Sequence, residues 1–170
     1  KSIAKFIKKK DFLYNKINDL NFILKKDFNI LKPKILISGI NPHAGENGEL
    51  GDEEEKIIKP VIKKIKMKKI NITGPLSADS MLIKNNLKNF DCFLFIYHDQ
   101  GLIPFKYISQ FNGVNYTGNL EIIRTSPDHG TAYDLINKKN ISNKSIINSF
   151  KLVHQISSNR KKYEESKKIT

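Results

Sequence analysis

Phe93-Leu-Phe-Ile-Tyr-His-Asp-Gln-Gly101 is the stretch of this chain that decides its fold class. A short apolar run, residues 92 to 97, stops abruptly at a histidine, a carboxylate, an amide and a glycine. This pattern predicts a buried strand of a parallel sheet whose carboxyl end opens into a loop, where open α/β sheets bind ligands. His98 and Asp99 offer metal ligation or proton transfer there, and Gly101 would let the backbone turn away. The alternative is a strand-end histidine that makes only a local hydrogen bond.

Two further β-rich runs, Lys34 to Ser38 and Ile70 to Thr73, are each followed by a polar loop. Parallel strands place their carboxyl ends at one edge of a sheet, so the polar residues that follow them should converge. Two histidines and one or more carboxylates at such an edge make a plausible divalent-metal site, although their spacing matches no compact metal motif. The residues concerned are His43, Asp79, His98 and Asp99.

Helical patterns alternate with these strands. Apolar residues recur at three- and four-residue spacing within the first 28 positions, which predicts one helix with a buried stripe. Asp52 and Glu55 form a capping-box pattern that predicts the start of a second amphipathic helix, with Glu53 and Glu54 favouring the positive end of its dipole. A terminal helix is expected from Ser142, fraying over residues 161 to 170. We therefore predict an α/β fold in three layers, α/β/α, around a mostly parallel (mixed) sheet.

The charge of the chain is strongly basic, with 30 Lys and Arg residues against 17 Asp and Glu residues, a formal net charge of +13. Arginine occurs only at Arg124 and Arg160, and no aromatic or arginine stripe accompanies the lysines. Dispersed lysines of this kind argue against a specific nucleic-acid site. Arg124, the one arginine in the part expected to be folded, suggests a bidentate anion contact, and a structural ion pair is equally open.

Membrane and redox signals are weak. No apolar run approaches the length of a membrane span, and no signal peptide is recognisable, so we expect no membrane association. Cys92 is the single cysteine of the chain, which excludes an internal disulfide and fits a reducing cytoplasm. We predict a cytoplasmic location.

Five motifs occur in one order along the chain and together resemble the 4-hydroxythreonine-4-phosphate dehydrogenase family. The resemblance runs from Lys1 to about Phe150 and covers only the C-terminal half of that family's usual length. It implies an isocitrate/isopropylmalate dehydrogenase-like fold, and it implies that residues 1–170 are the C-terminal portion of a two-domain dehydrogenase whose upstream half is absent from this chain. The motifs are Asn-Pro-His-Ala-Gly-Glu (41–46), Gly-Pro-Leu-Ser-Ala-Asp (74–79), Tyr-His-Asp-Gln-Gly-Leu (97–102) with Lys106, Gly-Val-Asn (113–115), and Ile-Arg-Thr-Ser-Pro-Asp-His-Gly-Thr-Ala (123–132).

The resemblance also implies roles for individual residues. His43 and His98 match two of three metal-binding histidines, the third belonging to a segment upstream of this chain. Asp79 and Asp99 match acidic positions near the metal and are the catalytic candidates, as proton acceptor or as orienting groups for a histidine. The matches to the substrate-binding positions are Lys106, Asn115 and Arg124. The matches to the nucleotide-side loop of the related dehydrogenases, and so to the cofactor, are His129, Gly130, Thr131, Ala132 and Asp134.

The implied activity is oxidation of 4-phosphohydroxy-threonine by NAD or NADP with a divalent metal (zinc, magnesium or cobalt). Decarboxylation to 3-amino-2-oxopropyl phosphate follows, in the biosynthesis of pyridoxine 5'-phosphate (vitamin B6). The implied partners are a phosphorylated amino-acid substrate and a second copy in a homodimer with the active site at the interface. Because the upstream half supplies one metal ligand and much of the substrate and cofactor cleft, this chain alone should be inactive. Two alternatives stay open: a metal-dependent hydrolase using His43, His98 and Asp99, and a noncatalytic basic binding module.

Overall fold

The computed structural model describes residues 3–9, 11–110, 112–128 and 142–168 of the chain. The chain divides into two compact units. The first unit comprises residues 1–25 and 30–104, and the second comprises residues 26–29 and 105–170. The last residue of helix α2 and the second half of helix α5 therefore belong to the second unit. The helices and strands are α1 (Ile3–Ile7), α2 (Phe12–Lys26), β1 (Lys34–Ser38), α3 (Lys59–Met67), β2 (Asn71–Leu76), α4 (Lys84–Asn89), β3 (Cys92–Leu94), α5 (His98–Ser109), β4 (Val114–Thr117), β5 (Arg124–Pro127) and α6 (Lys144–Lys168).

The first unit is built on a three-stranded parallel sheet in the order β2-β1-β3. Strand β1 is central and pairs Ile35 with Ile72 on one side and with Cys92 on the other. Its residues 35 to 38 are all buried, as expected for a parallel strand that is covered on both faces. The predicted strand at Lys34–Ser38 is confirmed, and the sheet is parallel as expected.

The strand that opened the sequence argument is shorter than predicted. Strand β3 ends at Leu94, is only half-buried and lies at an edge of the sheet, so the prediction of a buried strand to Tyr97 was wrong. Gly101 also has another role than the predicted turn, because it lies inside α5. A Cβ atom at this position would come within 3.0 Å of the Phe95 ring, so the glycine allows α5 to approach that ring closely.

Two helices replace the single N-terminal helix that the periodicity predicted. Asp11 adopts a left-handed backbone conformation with φ of 60°, and this interrupts the helix between α1 and α2. Most of the predicted stripe on α2 is buried nevertheless, through Leu13, Ile17 and Leu24. In the helix that follows the His43 loop, a π-helical turn at Glu54–Ile58 continues into α3, which packs on β2.

The second unit pairs β4 with β5 in an antiparallel ladder, and α6 packs on both strands. Helix α6 continues to Lys168, beyond the predicted point of fraying. Arg160, next to the predicted point of fraying, is anchored in the unit: its Nε donates to the buried Asp27 carboxylate at 2.7 Å and its Nη1 donates to the Glu121 carbonyl at 2.7 Å. Arg124 is therefore not the one arginine of the folded part.

No helix within the described residues combines the length and the apolar composition that crossing a membrane requires.

Candidate active site

The carboxyl ends of the three parallel strands lie at one edge of the first unit, as the sequence predicted. The loop at Pro42–Gly48 follows β1, the turn at Ala78–Ser80 follows β2, and α5 follows β3. The first two of these segments touch, with Cα atoms within 8 Å of each other. The predicted site residues on these segments all have exposed side chains; they are His43, Asp79, His98 and Asp99.

His98 and Asp99 form a close pair at the first turn of α5. The Nδ1 atom of His98 lies 2.7 Å from Oδ1 of Asp99, and both side chains are largely exposed. An ionised carboxylate only accepts hydrogen bonds, so the imidazole places its N–H on Nδ1 and leaves Nε2 free to coordinate. This is the arrangement by which carboxylates orient metal-binding histidines, and it favours the orienting role among those predicted for Asp99.

Gln100, the next residue, ties the start of α5 to the end of β1. Its Nε2 donates to the Gly39 carbonyl at 3.0 Å, and its Oε1 accepts from the Tyr97 backbone N–H at 3.1 Å and from the Ser38 hydroxyl at 3.2 Å. The buried Ser38 hydroxyl in turn accepts from the Ile96 N–H at 3.2 Å. Sequence reasoning treated Gln100 only as part of a polar break, whereas the structure shows that it connects the start of α5, where His98 lies, to the end of β1, which precedes the His43 loop.

The loop that carries His43 has a left-handed backbone over five consecutive residues. The φ angles are 51° at His43, 53° at Ala44, 84° at Gly45, 43° at Glu46 and 56° at Asn47. Each non-glycine residue in this conformation costs about 1–2 kcal/mol, so surrounding contacts must hold the loop. Gly45 is required for a second reason, because a Cβ there would lie 2.7 Å from the Gly51 carbonyl oxygen and 2.8 Å from Oε2 of Glu54.

The acidic run that follows this loop does not form the predicted capping box. No side-chain hydrogen bond caps the helix at Glu53; Asp52 instead pairs with Lys56, and Glu55 pairs with Lys59, one turn further along. The hydrogen bond from Lys56 holds the pKa of Asp52 below its ordinary value. The capping prediction was wrong because each of these exposed carboxylates has a lysine four residues away, within reach on the same helix face.

Glu54 lies between Asp52 and Glu55 in the sequence, but its side chain is fully buried and contacts the His43 loop. Its Oε1 accepts from the backbone N–H groups of Ile40 at 2.7 Å and Asn41 at 2.8 Å, and its Oε2 accepts from Asn41 Nδ2 at 2.8 Å. Sequence reasoning assigned Glu54 only to the helix dipole and missed its burial and its contact with the loop. The available signal was its spacing, because Glu54 lies four residues before the buried Ile58 and eight before the buried Ile62 on the same helical stripe.

The predicted metal site has two of its donor side chains, His43 and His98, among the described residues. The described residues contain no group of three or more His, Cys, Asp or Glu side chains that could hold a metal ion. The chemistry of the two exposed imidazoles, His43 and His98, fits a divalent transition metal, and the Asp99 contact leaves one nitrogen of His98 available. The predicted ligation by His43 and His98 therefore stays a prediction.

The predicted substrate-binding residues lie in the second unit and are all exposed. Lys106 donates from Nζ to the Asp128 carboxylate at 2.9 Å and to the Asp128 carbonyl at 3.0 Å. Arg124 donates to the Thr117 hydroxyl at 2.7 Å from the facing strand, and forms no ion pair with any residue that the structure describes. Asn115 lies on β4 opposite Ser126. The predicted cofactor residues lie outside the described residues; they are His129, Gly130, Thr131, Ala132 and Asp134.

Comparison of the chain with known proteins identifies the family to which it belongs. A family model described as "Pyridoxal phosphate biosynthetic protein PdxA" matches residues 1–153. The chain belongs to the PdxA family. The match includes every site residue predicted from the sequence, from His43 to Asp134, and the resemblance drawn from the five motifs is confirmed.

Curated PdxA relatives carry the name 4-hydroxythreonine-4-phosphate dehydrogenase. The protein from Sulfurihydrogenibium sp. is 45% identical over 143 residues, which are 84% of this chain and 44% of that protein. The protein from Bacteroides thetaiotaomicron is 46% identical over 129 residues, 76% of this chain and 35% of that protein. The chain thus spans less than half the length of these relatives.

Solved structures agree with the sequence comparison. A 4-hydroxythreonine-4-phosphate dehydrogenase from Klebsiella pneumoniae superposes with a TM-score of 0.75 at 33% identity, over 92% of this chain and 48% of that one. A terephthalate 1,2-cis-dihydrodiol dehydrogenase from Burkholderia xenovorans gives a TM-score of 0.68 at 25% identity, over 91% of this chain and 50% of that one. The predicted α/β fold class with a parallel sheet is confirmed.

Proposed function

We propose that this chain is the C-terminal portion of an NAD- or NADP-dependent 4-hydroxythreonine-4-phosphate dehydrogenase that requires a divalent metal. The reaction is oxidation of 4-phosphohydroxy-threonine followed by decarboxylation to 3-amino-2-oxopropyl phosphate, a step toward pyridoxine 5'-phosphate. One observation carries the proposal: in a chain of the PdxA family, the segments with His43, Asp79 and His98 leave the same edge of one parallel sheet. That edge is where α/β enzymes bind ligands.

The residues of the first unit divide the chemistry among them. His43 and His98 would hold the metal, and imidazole ligands favour zinc or cobalt over magnesium. When bound, the metal would supply a Lewis acid for the substrate hydroxyl, and the nicotinamide would supply the hydride acceptor. Asp99 orients His98 through the 2.7 Å contact with Nδ1, which leaves Asp79 as the candidate acceptor for the hydroxyl proton.

The residues of the second unit would bind the anionic groups of the substrate. Lys106 and Arg124 carry exposed positive charges for its phosphate and carboxylate, and Asn115 can donate a hydrogen bond from the same ladder as Arg124. Asp128 limits the freedom of the Lys106 ammonium group before the substrate arrives. The predicted nucleotide loop, from His129 to Asp134, would contact the cofactor. A homodimer with the active site at its interface, located in the cytoplasm, completes the proposal.

Metal content of the intact gene product tests this function. We expect stoichiometric zinc or cobalt in the wild type and its loss in both His43→Ala and His98→Ala. His154→Ala is the matched control, since His154 is an exposed histidine on α6 outside the proposed site. Metal content can be measured by mass spectrometry after dialysis. Metal retained in both site variants would contradict the proposal.

Turnover distinguishes the reaction class. Formation of reduced nicotinamide with 4-phosphohydroxy-threonine, lost in His98→Ala and kept in His154→Ala, is the expected result. Metal-dependent hydrolysis that needs no nicotinamide would favour the hydrolase instead.

A further inference from the structure

Glu54 is an ionisable side chain that the proposed reaction does not use, although the fold buries it completely. Burying a charge is costly unless hydrogen bonds compensate for the lost water. No Lys, Arg or His forms an ion pair with Glu54 within the described part of the chain. Its carboxylate accepts instead from two backbone N–H groups, those of Ile40 and Asn41, and from the Asn41 side-chain amide. The groups that compensate the buried carboxylate therefore all belong to one loop.

That loop is the one that carries His43. Ile40 and Asn41 are separated only by Pro42 from the left-handed run of residues 43 to 47. The second carboxylate oxygen, Oε2, also packs against this loop: a Cβ atom added at Gly45 would lie 2.8 Å from it. On the near side, a Cβ on Gly39 would lie 2.8 Å from Oε1. Oε1 of Glu54 therefore packs against Gly39, before the left-handed residues, and Oε2 packs against Gly45, within them.

The hydrogen-bond pattern requires a carboxylate at this position. Each of the three groups facing Glu54 is an N–H donor, and an ionised carboxylate offers only acceptors. A glutamine side chain has nearly the same shape but turns one of the two oxygens into a donor, which would then face either the backbone N–H groups of Ile40 and Asn41 or the side-chain amide of Asn41. A shorter aspartate keeps the acceptors but moves them away from the loop.

We infer that Glu54 is a positioning residue that fixes the backbone of residues 39–48 and so presents His43 for metal binding. This inference rests on the proposed function, in which His43 is a metal ligand. Glu54 acts through Ile40 and Asn41 and does not itself touch the metal. Residues that orient metal ligands in this way affect metal affinity by about 10–100-fold when they are replaced.

The test compares Glu54→Gln and Glu54→Asp with Glu55→Gln in the intact gene product. Glu55 is the matched control, since it is an exposed carboxylate one residue away that pairs with Lys59. In Glu54→Gln we expect amide hydrogen exchange of Ile40 and Asn41 to accelerate about tenfold or more. Exchange in the centre of β1 should stay unchanged, and Co²⁺ affinity should fall about 10–100-fold. Glu54→Asp should lie between wild type and Glu54→Gln, and Glu55→Gln should match the wild type.

The outcomes separate the inference from the function on which it rests. The positioning role would be overturned if Ile40 and Asn41 exchanged in Glu54→Gln as slowly as in the wild type. It would also be overturned if their exchange accelerated while the Co²⁺ affinity stayed unchanged. If Glu54→Gln also loses protection in β1, and so fails to fold, Glu54→Asp decides: unchanged exchange at both amides would overturn the inference. A wild type that binds Co²⁺ no better than His43→Ala would refute the metal site instead, and the exchange rates would still show whether Glu54 holds the loop.

Discussion

Asp27 shows how a single residue can organise distant parts of the second unit. The carboxylate is buried, and it accepts from Arg160 of α6 and from the hydroxyl of Tyr116 on β4. The Asp27 carbonyl also accepts from Asn159 Nδ2 at 2.8 Å. A buried charge that has both an ionic partner and neutral donors is well compensated, so this cluster is a structural anchor of the unit.

Tyr116 makes the cluster sensitive to alkaline pH. Burial, followed by the hydrogen bond to Asp27, raises the pKa of Tyr116 from its ordinary value of 10.0 to about 12. The folded state therefore favours the protonated phenol, and the stability that this contributes is fully present below pH 10 and is lost as the pH rises toward 12. We expect Tyr116→Phe to be less stable than the wild type below pH 10. Between pH 10 and pH 12 the variant should lose less stability than the wild type does.

Thermal unfolding against pH and the ultraviolet absorbance of phenolate check this prediction. The wild type should show a late step of tyrosine ionisation from Tyr116, and Tyr116→Phe should lack that step. Tyr107→Phe, which alters a tyrosine that is 83% exposed, is the matched control and should keep it. A late step that survives in Tyr116→Phe would contradict the assignment.

At the scale of elements, Gln100 connects the start of α5 to the end of strand β1. Gln100 bonds the Gly39 carbonyl and the Ser38 hydroxyl, both at the end of β1, and the Tyr97 N–H just before the helix. These contacts fix the position at which His98 leaves the sheet. The same strand end leads into the loop that Glu54 holds, so β1 is the common support of both histidines.

Replacing Gln100 by alanine should destabilise the first unit. The Gly39 carbonyl and the Ser38 hydroxyl would lose their side-chain partner, and part-buried polar groups left without partners cost about 1–3 kcal/mol. Urea unfolding followed by circular dichroism measures the change. Gln155→Ala is the control, because Gln155 is exposed on α6. Equal midpoints for the two variants would show that the Gln100 contacts contribute no net stability.

At the scale of the whole molecule, the positive charge is spread over helix surfaces where it has local structural roles. Lys56 and Lys59 pair with carboxylates one turn away, Lys64 pairs with Asp11, and both Lys64 and Lys68 lie over the Tyr14 ring. A net charge of +13 still creates a field around the molecule. It attracts polyanions without selecting among them.

Duplex DNA should therefore bind weakly and without sequence preference at low salt. The affinity should fall steeply and linearly in a plot of log affinity against log salt, since binding would release counterions. Fluorescence anisotropy with two unrelated duplexes measures both properties, and His98→Ala should behave as the wild type. Affinity that distinguishes the two duplexes at physiological salt would support the alternative of a basic binding module.

The sequence alone determined the α/β class, the central strand at Lys34–Ser38 and the polar residue types that follow each strand. These depend on local periodicity and on turn residues, which neighbouring positions specify. It also carried the motifs of the PdxA family, because family motifs are properties of order and residue type. The roles of Asp79, His43 and Lys106 remain predictions that these motifs supply.

Only the tertiary structure decided which polar residues are buried. The spacing of Glu54 with Ile58 and Ile62 indicates a buried helix face, but it does not show which groups compensate for the burial of an acid, because the partners of Glu54 lie 13 and 14 residues away. Gln100 finds the Gly39 carbonyl 61 residues away, and Arg160 finds Asp27 133 residues away. A buried polar group is stable only where distant parts of the chain supply its hydrogen-bond partners, and that condition is met only when the chain has folded.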